Sequence, residues 1–275
     1  MKVTQHTGGP VSIAYDIEGR GPLVVFLHGI GGNRTNWGKQ LEEFSPQFCA
    51  VAWDARGYGA SADPPVTLQF SDYANDLRRL LDHLKAEKAH LVGLSMGGMI
   101  IQDFYARYPD QVATLVLVDT SPGFGTAPEE VKKDFLARRL EPLERGLKPA
   151  DFAPSLVEVL VAPGAAPPVR EQLRASLAML RPEPYKQALK AIVTTDFRAV
   201  LPKISVPVLV IVGEEDQVTT PATAEYLAKN IPSAEKVVIA KAGHLTNLEQ
   251  PEAFNSALRT FLSKHADRAS RVSAV

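Results

Sequence analysis

The chain has 275 residues, 45% of them hydrophobic and 22% charged, with a formal net charge of −1. That length suits one large α/β domain, or a core domain with an insertion, that buries an ample core. The near-neutral balance gives no electrostatic pull toward nucleic acid or an anionic membrane, no stretch reaches membrane-spanning length, and residues 1–10 lack the apolar run of a secretory signal.

Residues 11–18 read as a strand that Gly19, Gly21 and Pro22 turn back. Residues 23–27 (LVVFL) are a continuous apolar run, as in a strand buried on both faces. A glycine loop, HGIGG at 28–32, leads into a helix over 34–44. Residues 48–53 form the next strand and hold Cys49, the single cysteine, which excludes an intramolecular disulfide and favours a reducing, cytoplasmic setting. After DARGYGAS (54–61), a helix over 70–84 puts Tyr73, Leu77, Leu80, Leu81 and Leu84 on one face. Residues 91–94 run as a buried strand into Ser95 and a further helix, and 112–118 is another buried strand. Strands alternating with helices predict a mostly parallel sheet flanked by helices.

The pattern then changes. Residues 122–197 contain ten prolines among helical stretches and no strand-like run of useful length, and read as a helical cap inserted after the sixth strand. The sheet resumes at 206–212 (VPVLVIV) and ends in Gly213, Glu214, Glu215 and Asp216. A helix over 222–229, a strand over 236–239, a loop with Gly243 and His244, and a helix over 251–262 opened by Pro251 complete the series. The expected organisation is a core of residues 1–121 and 198–265, a cap of 122–197, and a flexible polar tail of 266–275.

The chemistry centres on Gly93, Ser95 and Gly97, a Gly-x-Ser-x-Gly spacing at a strand-to-helix turn. Small residues on both sides of the serine let strand and helix approach closely while the hydroxyl projects from a strained turn. A serine hydroxyl needs a neutral imidazole to take its proton, and the imidazole needs a carboxylate to fix its tautomer. At the carboxyl ends of parallel strands, Asp216 and His244 follow in the order serine, acid, histidine, with Glu214, Glu215 and Asp119 as competing acids. His6, His83, His90 and His265 read as exposed or terminal, and His28 as a brace for the glycine loop. Donors for a developing oxyanion are expected from the N–H of Met96 and of Ile30. No zinc spacing or nucleotide loop is present in the sequence, so neither metal nor cofactor is implied.

FLHGIGG, WDARGYGAS, VGLSMGGMI, VPVLVIVGEEDQVT and AGHLTNLEQPEAF together resemble the α/β-hydrolase fold along the chain to about residue 264. DARGYGAS, GLSMGGMI and AGHLTNLEQPEAF are most similar to the 3-oxoadipate enol-lactonase group, with the carbon–carbon bond hydrolases of meta-cleavage pathways next. The resemblance implies Ser95 as nucleophile, Asp216 as acid, His244 as base and the Ile30 and Met96 amides as oxyanion hole. Serine at 95 argues against haloalkane dehalogenases and epoxide hydrolases, whose nucleophile is aspartate. Leu94 stands where carbon–carbon hydrolases carry asparagine. The expected partner is a small ester or lactone. Carbon–carbon cleavage, a hydrolase-fold ligand receptor and perhydrolysis remain open alternatives. Trp37, Phe124, Arg138 and Leu177 are candidate substrate contacts. Arg138, Arg139, Arg170, Arg174 and Arg181 are cap arginines available to a substrate carboxylate, although a place on a solvated helix face is the favoured reading for any single one.

Overall fold

In the computed structural model, which describes every residue except Met1, Val66, Thr126 and Val275, the chain opens with β1 (Val3–His6) and the long β2 (Ala14–Leu27). A short 3-10 turn (Arg34–Trp37) and α1 (Gly38–Phe44) lead to β3 (Cys49–Trp53), α2 (Ser71–His83), β4 (Ala89–Leu94), α3 (Met96–Arg107) and β5 (Val112–Val118). Every residue of β3, β4 and β5 is buried, which is why, His90 apart, the sequence there is apolar or small rather than alternating.

The eight-stranded sheet places β2, β4, β5 and the later β6 and β7 side by side, with β4, β5, β6 and β7 all parallel to their neighbours. Cys49 pairs with both Gly19 and Leu23, so β2 passes over the end of β3 and its two arms lie on either side of it. Sequence analysis places a turn here, but only the pairing shows that β3 lies between the arms. Counting the arms of β2 separately, β5 is the sixth strand, and four helices follow it.

These are α4 (Glu129–Glu144), α5 (Pro149–Leu160), α6 (Pro167–Ala178) and α7 (Pro182–Ile192). Pro149, Pro167 and Pro182 stand at first helical positions, where the missing N–H costs no hydrogen bond and the fixed φ suits the helix. Pro142 and Pro154 instead lie inside α4 and α5. The chain leaves and re-enters the core at one place, where Phe197 N–H donates to the Pro122 carbonyl at 2.7 Å and Gly125 N–H to the Thr195 carbonyl at 2.9 Å. The core resumes with β6 (Val208–Gly213), α8 (Pro221–Asn230), β7 (Ala234–Ile239), the four-residue α9 (Thr246–Glu249) and α10 (Pro251–Lys264).

Two expectations are corrected. The tail is not frayed: residues 266–268 form a 3-10 turn and β8 (Arg271–Ser273) pairs antiparallel with Arg20–Pro22 of β2, while Val275 lies outside the described residues. The polar tail satisfies its backbone against a sheet edge, and such pairing leaves no apolar periodicity to read. His90 is fully buried in β4 rather than exposed, with Nδ1 2.9 Å from Thr114 Oγ1, and burial pushes its imidazole down to about 4. Among the described residues, no helix is long and apolar enough to cross a membrane.

Candidate active site

Ser95 joins β4 to α3 with φ 52° and ψ −114°, a left-handed conformation rare for a side chain larger than glycine's. The packing around it explains the flanking glycines. A Cβ on Gly93 would lie 2.3 Å from the Gly97 carbonyl oxygen, and one on Gly97 would lie 2.3 Å from that of Leu27. Both obstacles are backbone, so they cannot rotate away. Gly97→Ala is therefore expected to destabilise the fold by about 1–3 kcal/mol, checked by denaturant unfolding.

The Ser95 turn is held by its backbone. Its N–H donates to the Val118 carbonyl at 2.9 Å, and its carbonyl accepts from Thr120 Oγ1 at 2.6 Å. Among the described residues the Ser95 hydroxyl has no hydrogen-bond partner, and the residue lines a cavity of about 570 Å³ together with His244.

Asp216 follows β6 and His244 follows β7, and the two meet, with His244 Nδ1 2.9 Å from Asp216 Oδ2. The other Asp216 oxygen accepts N–H groups from Val218 at 2.7 Å and Thr219 at 3.0 Å, and Thr219 Oγ1 donates to Oδ2 at 2.8 Å. Burial alone would raise the Asp216 carboxyl, but His244 and the Thr219 donors hold it down at about 2. Burial alone would lower the His244 imidazole, but the Asp216 carboxylate leaves it raised above its ordinary value. The pair fixes Nδ1 as the bonded nitrogen and leaves Nε2 for the cavity.

The competing acids are accounted for. Glu214 and Glu215 are exposed. Asp119 is buried and strained at φ 42°, but its oxygens take Gly213 N–H at 2.9 Å, Thr246 N–H at 3.1 Å and Thr246 Oγ1 at 2.7 Å. It ties the end of β6 to the histidine loop rather than touching the imidazole by hydrogen bond.

His28 braces the glycine loop, as its sequence context suggests. Its Nδ1 lies 2.8 Å from the Gly29 carbonyl, and the Ala55 N–H reaches its Nε2 at 3.0 Å. Ile30 lines the cavity, and Met96 is the first residue of α3, where a helix leaves N–H groups without intrahelical acceptors. The loop is also tied to α6: Asn33 Nδ2 donates to Ser176 Oγ at 3.0 Å, and Leu177 packs against Gly31.

The four candidate substrate contacts differ in kind. Phe124 and Leu177 line the cavity, with Phe124 in edge contact with Phe135 at 4.7 Å between centroids. Trp37 also belongs to the wall, but its ring is buried between Phe26 and Phe254, so it is chiefly a packing residue. Arg138 stands at the rim, its side chain 74% exposed and paired with Asp134 at 2.7 Å. The next residue faces inward. Arg139 is half-buried over the Phe135 ring at 4.0 Å and donates to the Phe135 carbonyl at 3.2 Å. Burial works against its charge, and among the described residues it has no ion-pair partner. Arg170, Arg174 and Arg181 pair with Glu158, with Glu158 and Glu171, and with Asp63. In the sequence Arg139 stands out only as one of several cap arginines, with its neighbour Arg138 the favoured contact, and Thr219 does not stand out at all. The rotation of a helix with charges on every side chooses between adjacent arginines, whereas Thr219 could have been found as the hydroxyl three residues past the acid.

Residues 24–257 match the model of a family described as the alpha/beta hydrolase family. The chain is 30% identical over 262 residues to 3-oxoadipate enol-lactonase 2 of Acinetobacter baylyi, covering 94% of this chain and 96% of that protein. It is 28% identical over 274 residues to the pimeloyl-[acyl-carrier protein] methyl ester esterase of Vibrio atlanticus, covering 92% and 99%. A thermophilic esterase from Thermogutta terrifontis superposes with a TM-score of 0.86 at 32% identity, covering 97% of this chain and 99% of that one.

Proposed function

This chain belongs to the alpha/beta hydrolase family, and we propose that it is a serine hydrolase of small carboxylic esters or lactones acting through an acyl-enzyme. The observation that carries the reading is the strained Ser95 turn opening on the same cavity as the imidazole of the His244–Asp216 pair.

Ser95 Oγ attacks the substrate carbonyl carbon while His244 Nε2 takes the hydroxyl proton. The oxyanion that forms accepts from the Ile30 and Met96 N–H groups, the second reinforced by the N-terminal end of α3. Collapse expels the alkoxide, which takes the proton from His244; in a lactone it stays tethered to the acyl group. Water, deprotonated by His244, then attacks the acyl carbon and releases the acid and Ser95. Asp216 stays ionised throughout and stabilises the imidazolium. Every step uses this chain's own side chains and amides. The single, buried Cys49, its thiol pushed up to about 11 by burial, is compatible with a reducing, cytoplasmic setting.

Arg139 supports a substrate bearing a carboxylate, since this half-buried guanidinium lines the cavity and among the described residues has no ion-pair partner, Asp134 acting on it only at a distance. The name of the Acinetobacter relative, an enol-lactonase of 3-oxoadipate, fits that class. Hydrolysis of p-nitrophenyl esters of increasing acyl length, simple lactones, 3-oxoadipate enol-lactone and a meta-cleavage dienoate tests the reading. Preference for the enol-lactone is expected. Arg139→Gln is expected to raise KM for carboxylate-bearing substrates by about 10- to 100-fold, the worth of a charged hydrogen bond, with neutral esters little changed. Equal loss on neutral esters would retire the carboxylate site, and turnover confined to the dienoate would move the reaction to carbon–carbon cleavage.

A further inference from the structure

The loop that carries His244 is fastened to the helical segment as well as to the core. The His244 N–H itself donates to the Leu160 carbonyl at 2.7 Å, at the last residue of α5. Two residues further on, the Ala162 N–H donates to Glu249 Oε2 at 2.8 Å. The same carboxylate accepts the Gly243 N–H at 3.0 and 3.1 Å and the Leu245 N–H at 3.1 Å. One buried side chain thus collects the N–H groups on both sides of His244 and one from the end of the α5 segment. The contact has no slack: a Cβ on Gly243 would lie 2.5 Å from Ala162 N and 2.7 Å from Val161 C.

We propose that Glu249 is a positioning residue that locks the His244 loop to residues 160–162, so that the imidazole is aligned on Asp216 only while this end of the cap is docked. The proposal rests on His244 being the base of the reading above. The chemistry calls for a carboxylate. Three convergent N–H donors need an acceptor with two oxygens and no hydrogen of its own, and a carboxylate alone among side chains supplies both lone-pair sets on one rigid plane. An amide turns one of those oxygens into a donor aimed at another donor. Either orientation of a glutamine at 249 loses a partner, Ala162 in one and Leu245 in the other, while the Gly243 N–H keeps one oxygen in both. The imidazole gains its precision from backbone it does not share a helix or strand with, and a small displacement there is costly because proton transfer needs hydrogen-bond geometry.

The test compares wild type with Glu249→Gln and with Leu258→Ala, which removes a fully buried side chain on α10 without touching the loop. The far-downfield proton resonance of the His244 Nδ1–H, identified by its absence in Asp216→Asn, reads the alignment without any substrate. It is expected to broaden away in Glu249→Gln and persist in Leu258→Ala. On p-nitrophenyl esters, Glu249→Gln is expected to lower kcat by about 10- to 100-fold at little-changed KM. If Glu249→Gln does not fold, the same two readouts are taken from Glu249→Asp, which keeps the charge and shortens the reach. A folded variant that keeps both the resonance and kcat, losing only thermal stability as Leu258→Ala does, overturns the proposal. Wild-type turnover that survives Ser95→Ala would overturn the serine acyl-enzyme reading instead, and leave the resonance to decide the positioning role by itself.

Discussion

Ser95→Ala is expected to lower kcat for ester hydrolysis by about 10⁴- to 10⁶-fold, since in the proposed mechanism removal of the nucleophile disables the triad as a unit. The fold should be untouched. Every hydrogen bond that holds the Ser95 turn uses its backbone, through Val118, Thr120 and Met99, and alanine keeps that backbone and the Cβ. Alanine also bears the same strain at φ 52° as serine does, so the melting temperature is expected to stay with wild type. Mass spectrometry after a fluorophosphonate probe gives the parallel reading: one adduct on the wild-type chain and none on the variant. Ester turnover retained by the folded variant would remove Ser95 from the mechanism, whereas wild-type turnover absent on every ester and lactone would return the ligand-receptor alternative to consideration.

The parts of the site that sequence made legible are those in which local backbone and chemistry coincide. Gly93 at the Ser95 elbow is needed because strand and helix touch there within five residues of chain, whereas Gly97 is pressed by the Leu27 backbone far earlier in the sequence. His28 and Asp216 each end an apolar run, and His244 lies in the loop after β7, so their places at the rim of a parallel sheet follow from the strands. What stayed hidden depends on partners far away in sequence. The tail pairs with Arg20–Pro22, more than two hundred residues earlier, and His90 is buried against Thr114 and the Phe48 ring. Glu249 looks like any exposed acid between Leu248 and Gln250, and only the folded chain brings Ala162 to its carboxylate. The choice between Arg138 and Arg139 turns on about 100° of helix rotation, which a charge-rich α4 does not declare in its pattern.

Asp216→Asn is expected to lower kcat by about 10⁴-fold, well beyond the effect of Asp119→Asn. The two carboxyls are close enough to influence each other, yet they are set apart by environment. Burial first, and then the Asp216 charge, push Asp119 up to about 7, whereas Asp216 is held at about 2 by His244 and Thr219. At neutral pH Asp216 is the fully ionised member, and of the two carboxyls it is the one hydrogen-bonded to the imidazole. An asparagine there can present its amide N–H to Nδ1, which stabilises the tautomer protonated at Nε2 and leaves no lone pair to accept the Ser95 proton. The pH profile carries the same argument with a definite sign. In the proposed mechanism His244 acts as base only when neutral, so kcat/KM is expected to fall as pH drops through its pKa. Burial lowers that pKa, Asp216 and Asp119 raise it, Arg139 lowers it, and the net is above the ordinary 6.5. The acid limb of wild type is therefore expected above 6.5, and in Asp216→Asn the residual activity should extend to lower pH as the largest raising charge is lost. A larger loss in Asp119→Asn than in Asp216→Asn would hand the acid's role to the strand before the cap. The hydrogen bonds argue the other way, because Asp119 already spends its oxygens on Gly213 and Thr246 while Asp216 faces the imidazole.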